Sequence, residues 1–250
     1  MRDFFTFYTD IFYMEHPFQE FGLFHLLFLV GFIFGIIILY RFYSQLNPKK
    51  QRTFQVVMGI GFIIEEFIYT CWVLINCHHN ALQQVLPLEL CSICVYMNAA
   101  TVFFKNNYLK VFSGLVGLIA GSVAMLYPVN ISGLYPVLSY RVINFYMLHA
   151  SFVLFACIQL KDQSILAYCH MKKNYLILCC LFSSAFVVNL MLDTQYMFVG
   201  IPPKIGFIAS LYQMTGIVFF LPMILVCIGI IQFIVFYLLR KVFRIQKVQS

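Results

Sequence analysis

A chain of 250 residues that is 62% hydrophobic and only 10% charged, with a mean hydropathy of +0.89, lies far from soluble domains, in which about a quarter of residues are charged. It is a polytopic membrane protein, and at about 20 residues per span seven spans leave no length for a separate water-soluble domain. A nucleic-acid enzyme and a secreted disulfide scaffold are excluded, so the net charge of +7 has to be read from its distribution along the chain.

Residues 1–20 are rich in Phe and Tyr and carry Asp3, Asp10, Glu15 and Glu20. They lack the basic start and small-residue cleavage site of a signal peptide, and read as an aromatic segment lying on the membrane interface. Seven apolar runs follow, at 21–40, 54–75, 86–104, 109–126, 142–160, 175–192 and 217–239. Backbone polar groups in hydrocarbon must be satisfied within the segment, so each run is a helix. The fourth, with Gly114, Gly117 and Gly121, has the composition of a helix packed close against its neighbours. The longest connection, 193–216, contains Gly200, Pro202 and Pro203 and reads as a lid or re-entrant segment. Residues 240–250 form a basic tail. The expected fold is all-α, a single transmembrane domain over 1–250 built as a seven-helix bundle.

Basic residues set its orientation. Arg41, Lys49, Lys50, Arg52, Lys105, Lys110, Lys161, Lys172, Lys173, Arg240, Lys241, Arg244 and Lys247 fall on one side of such a bundle, and only Arg2, Arg141 and Lys204 on the other. The positive-inside rule then places the amino terminus outside and the carboxyl terminus in the cytoplasm.

Nine cysteines, most of them within spans, do not form a disulfide framework, and most read as small apolar fillers. Ionisable residues inside spans are costly and mark function by default. Here they are His25, Glu65, Glu66, Glu89 and His149. Counted from the outer span ends, Cys91 lies about 8 Å deep and His149 about 10 Å deep, with Glu65 and Glu66 nearer the midplane. A Cys and a His at matched depth on different helices are the minimal pair for nucleophilic acyl chemistry. A carboxylate such as Glu65, Glu66 or Glu89 orients or balances the imidazole. Arg141 sits at the outer end of the fifth span, placed for a lipid phosphate, and Asn98, Asn144 and Tyr196 are the side chains available as oxyanion donors.

Other readings stay open at this point. Glu65, Glu66 and His25 would suit a transporter or binding protein that coordinates a proton or solute at the midplane. Cys91 and Cys94 spell C-x-x-C, the spacing of a thiol oxidoreductase. His78 and His79 precede that pair, but a second Cys pair for a zinc site is missing, and neither metal nor cofactor is expected.

The run Leu86-Pro87-Leu88-Glu89-Leu90-Cys91 resembles the L-P-L-x-L-C signature of the YwaF and transmembrane protein 164 family, multi-span proteins of bacteria and animals. The resemblance extends over roughly residues 20–240. It takes in the F-G-L-F-H run ending at His25, the acidic Glu65 or Glu66, the Gly-rich fourth span ending at Pro128, and N-F-Y-M-L-H from Asn144 to His149. A final turn, Gln195-Tyr196-Met197-Phe198, departs from the family in carrying Gln195 where Asn is usual, and Lys204 follows the prolines instead of preceding one. The resemblance implies an acyltransferase that remodels phospholipids, with Cys91 and His149 catalytic and phospholipid and lysophospholipid as its partners. It implies a multi-pass protein of the cell membrane, the plasma membrane in a bacterial member.

Overall fold

The computed structural model describes residues 2–5, 7, 17–77, 81–104, 106–203 and 206–249. Residues 8–16 with Asp10 and Glu15, His78 and His79, Lys105 and Lys204 lie outside the described residues, as do the side chains of Asp3, Arg244 and Lys247. Seven long helices follow one another: α1 (Leu23–Gln45), α2 (Pro48–Asn76), α3 (Leu90–Phe103), α4 (Asn107–Leu126), α5 (Tyr140–Gln159), α6 (Tyr168–Leu192) and α7 (Gly206–Gln249). Six of them are long and apolar enough to cross a bilayer; α3, with 14 residues, is shorter than the 86–104 span expected from the sequence. The shortening has a local cause. Pro87 lacks an N–H and disfavours helical geometry in the residue before it, so 86–89 form a turn, closed by the Leu88 N–H donating to the Leu86 carbonyl at 2.8 Å, and the helix starts only at Leu90.

Elsewhere the helices outrun the apolar runs. Helix α2 starts six residues ahead of its hydrophobic stretch, where Asn47 accepts from the Lys50 N–H at 2.9 Å and Pro48 occupies the first helical position. Asn106 caps α4 and Ser139 caps α5 in the same manner. Helix α7 is interrupted at Gly216, whose φ of 65° is open to glycine, so 206–215 form an arm ahead of the spanning portion.

Helix α5 is the centre of the bundle. In its most apolar window 67% of residues are buried inside the protein, against 6% for α1 and 17% for α7, which therefore stand at the perimeter. Phe145, Tyr146, Phe152 and Phe155 project from it into two apolar clusters. Helix α4 packs against it along a glycine face, after a π-helical segment at Phe112–Val116. A Cβ at Gly121 would stand 2.7 Å from the His149 carbonyl oxygen and 2.9 Å from Val153 Cγ2, so glycine is what lets the two backbones meet there.

The two ends of the bundle differ in chemistry. At the basic end the Arg52 guanidinium donates to the Val102 carbonyl, which fixes the last turn of α3 beside the first turns of α2. At the same end Lys110 pairs with Asp162 at 3.0 Å, the only ion pair among the described residues. The hydroxyl of Ser164 and the Lys110 ammonium hold the Asp162 carboxyl below its ordinary range. At the opposite end Phe18, fully buried, exchanges backbone hydrogen bonds with Tyr135 at 2.8 Å and Gly133 at 2.7 Å, which ties the amino-terminal segment to the α4–α5 connection.

Gly121→Ala is expected to destabilise the protein by about 1–3 kcal/mol through overpacking against α5, read as a lowered thermal midpoint in detergent. Gly61→Ala, whose added methyl group meets nothing within 4 Å, serves as the control and leaves the midpoint unchanged or raises it.

Candidate functional site

Three helices bring the polar side chains together. Helix α2 contributes the consecutive Glu65 and Glu66 and, about one turn further on, Tyr69. The start of α3 contributes Glu89, Cys91 and Ser92, and α5 contributes Arg141, Asn144 and His149. Asn144 Nδ2 donates to Glu65 Oε1 at 2.7 Å, which ties α5 to α2. Ser92, in the first turn of α3, stands beside Glu66.

Cys91 occupies the second position of α3. The backbone N–H groups in the first turn of a helix have no carbonyl partner within it, and the preceding Glu89 makes no side-chain cap. Its carboxylate turns away to accept from the Met197 N–H through Oε2 at 3.1 Å.

His149, 5% exposed, is held by the i−4 carbonyl of its own helix: Nδ1 lies 2.7 Å from the Phe145 oxygen. Since a carbonyl only accepts, Nδ1 carries the proton of the neutral ring and Nε2 keeps the lone pair. The Phe145 ring, 4.2 Å from the imidazole between centroids, further restricts its rotation.

Arg141 is the common neighbour. Its guanidinium lies over the Tyr69 ring at 4.9 Å and the Phe145 ring at 5.8 Å. It acts electrostatically on Glu65, Glu66, Glu89, Cys91 and His149. Among the described residues it forms neither an ion pair nor a hydrogen bond, so its planar fork of donors is free for an anion. Glu65 Oε2 and Tyr140 Oη, both buried, also lack partners among the described residues.

The remaining expected site residues stand elsewhere. His25 is used at both ring nitrogens: Nδ1 accepts from the Phe21 N–H at 2.8 Å and Nε2 donates to the Met125 carbonyl at 2.9 Å, joining α1 to the end of α4. Asn98 is fully buried with neither amide atom bonded among the described residues, but it lies seven residues along α3 from Cys91, about 10 Å away and beyond reach of its reacting atoms. Tyr196 donates its hydroxyl to the Gln83 carbonyl, and Asn144 is committed to Glu65. Cys94 is fully buried in the apolar cluster and, like Cys91, is a free thiol. Tyr69, Ser92 and the Phe145 carbonyl were not singled out in the sequence. Only Tyr69 left a trace there, as the residue one turn beyond the paired glutamates.

The connection 193–203 roofs the site. Asn189 on α6 accepts from the Tyr196 N–H at 2.8 Å and donates to the Tyr196 carbonyl at 2.9 Å, which shapes the turn so that the Met197 N–H meets Glu89.

Six helices long and apolar enough to cross a bilayer, with polar side chains of α2, α3 and α5 around Arg141, make this an all-helical membrane protein. The family model described as "TMEM164 family" matches residues 14–240, and the chain belongs to that family. No curated protein and no solved structure matches the chain.

Glu89→Ala leaves the buried Met197 N–H without an acceptor, a loss of about 1–3 kcal/mol, and is expected to open 193–203 to limited proteolysis. Glu89→Gln keeps an acceptor oxygen and is expected to leave the segment protected.

Proposed function

We propose that the protein is a phospholipid transacylase in which Cys91 is the nucleophile and His149 the general base and acid. The observation that carries this reading is the placement of Cys91 in the uncapped first turn of α3, within the field of Arg141, the cation that also acts on His149.

The Sγ proton passes to His149 Nε2, and the sulfur attacks the ester carbonyl carbon of a phospholipid. The tetrahedral oxyanion finds its donors in the N–H groups of the first turn of α3, since Asn144 and Tyr196 are engaged and Asn98 is remote. Collapse breaks the ester C–O bond. The leaving oxygen takes the proton from Nε2 and departs as a lysophospholipid, with the acyl chain held as a thioester. In the second half the hydroxyl of an acceptor lysophospholipid gives its proton to Nε2 and attacks the thioester carbonyl, and the Cys91 thiol is restored with that proton. Arg141 pairs with the phosphate of either lipid. Glu65, Glu66 and Glu89 balance its charge and that of the transient imidazolium. The roof formed by 193–203 keeps water from the thioester and favours transfer over hydrolysis.

In the bilayer α3 makes the seventh crossing, with the site end outside and the basic end in the cytoplasm. The transporter reading is weaker, because Glu65 is bonded to Asn144 and His25 spends both nitrogens on the backbone. The thiol-exchange reading is weaker because Cys94 exposes no surface to a partner.

Purified protein incubated with labelled phospholipid is expected to gain one acyl adduct by intact mass, discharged by lysophospholipid. Cys91→Ala loses the adduct and the transfer, His149→Gln slows transfer by about 10²–10⁴-fold, and Cys94→Ser retains both. Full transfer by Cys91→Ala, or loss of transfer in Cys94→Ser with Cys91 intact, overturns the reading.

A further inference from the structure

A second lipid-chemistry feature lies away from the site, on the perimeter between α1 and α5. A groove of about 580 Å³ runs along the pair, walled by Leu27, Phe28, Phe32 and Leu39 on α1 and by Ser151 and Leu154 on α5. Gly31 and Gly35 form its floor, and a Cβ at either meets nothing within 4 Å, so no part of the described protein fills the space they leave. Phe28 and Phe32 stack on the buried Tyr146 ring at 5.1 and 5.7 Å, which makes the back wall rigid. His149 does not line the groove.

Size and charge identify the occupant. From Leu27 to Leu39 the groove is about 18 Å long, close to the roughly 15 Å that one leaflet contributes to the hydrocarbon core. An extended acyl chain, a few ångströms across, lies along such a groove over its whole length, with its methylenes against Leu27, Phe28, Phe32 and Leu39. No ionisable side chain lines the groove. Just beyond its Leu39 end stands Lys161, exposed, with its ammonium 5.0 Å from the Tyr43 ring and 5.6 Å from the Tyr40 ring, and 3.2 Å from the Ser44 hydroxyl. Asp162 beside it is taken by Lys110, and Lys161 has no carboxylate partner among the described residues.

We infer that this groove is a phospholipid site, with one acyl chain lying over Gly31 and Gly35 and the phosphate paired with Lys161. The lipid comes from the leaflet at the basic end, opposite the end that holds Cys91, and it is not a reactant. Its chain fills the gap between α5 and the most weakly buried helix, α1, and so completes the packing of α1 onto the bundle. Either phosphate chemistry, zwitterionic or anionic, satisfies Lys161, because the ammonium contacts the phosphate and not the rest of the head group.

The test uses the full chain in nanodiscs of phosphatidylcholine containing a phosphatidylcholine with a photoactivatable diazirine in one acyl chain, with cross-linked peptides mapped by mass spectrometry. Peptides from 27–39 and 147–154 are expected to carry about tenfold more label than the α6 peptide holding Leu190 and Met191, which are equally open to lipid, a difference of roughly 1.4 kcal/mol in occupancy. Gly35→Leu, which fills the floor, removes that excess, and Lys161→Ala, a surface change that leaves the fold intact, reduces it. Even labelling of α1, α5 and α6, an excess indifferent to both substitutions, or disulfide-linked dimers in Gly31→Cys that displace the label would each overturn the inference. None of these readouts depends on acyl transfer, so the site stands or falls separately from the reaction.

Discussion

Arg141 is the charge around which the rest of the site is arranged. A guanidinium stays ionised even at the edge of hydrocarbon, and a cation there is stable only when counter-charges and polarisable rings surround it. Three carboxylates from two helices and the faces of Tyr69 and Phe145 supply that surrounding. None closes to an ion pair, which leaves the donor fork open. The same field acts on Cys91 and His149, so the residue that organises α2, α3 and α5 electrostatically also conditions both proposed reacting groups.

Neighbouring choices follow from the need to satisfy backbone groups in an apolar medium. Glu89 stands where a helix cap is expected and gives its carboxylate to the Met197 N–H instead, which leaves the first turn of α3 uncapped beneath the roof. A lost cap costs about 1 kcal/mol and leaves backbone donors of that turn open beside Cys91. His149 spends Nδ1 on its own helix and thereby fixes which nitrogen can take a proton.

Much of this was legible in the sequence. Each apolar run became a helix, because a 20-residue hydrophobic stretch has few alternatives in a bilayer. Helix ends were less legible. Lys and Arg near an interface extend their stems along the helix and hide its true start, as at Pro48, and Pro87 cut the third helix short in a run whose hydropathy gave no warning. The placing of Glu65, Glu66, Glu89, Cys91 and His149 within the field of Arg141 rests on three helices whose pairing no apolar run announces. The placing of His25 was not legible either, since its partner is a backbone carbonyl one hundred residues away. Asn98 and Tyr196 were attractive as polar side chains near the signature, but helix rise removes the first and a carbonyl occupies the second. The groove between α1 and α5 left no signal beyond a G-x-x-x-G spacing, which reads as readily as a helix-pairing face.

The brevity of α3 has a consequence for the membrane itself. Fourteen residues rise about 21 Å against a hydrocarbon core of about 30 Å, and the deficit of about 9 Å lies wholly above Cys91, where the turn 86–89 and the roof 193–203 carry the chain. Thickness mismatch is ordinarily absorbed by tilt or by thinning of the surrounding bilayer. Helix α3 is fastened at its basic end, where the Arg52 guanidinium donates to the Val102 carbonyl, which limits how far it can slide. Much of the adjustment then falls on the lipids, and the thickness of the host bilayer becomes a variable in how tightly they pack around α3.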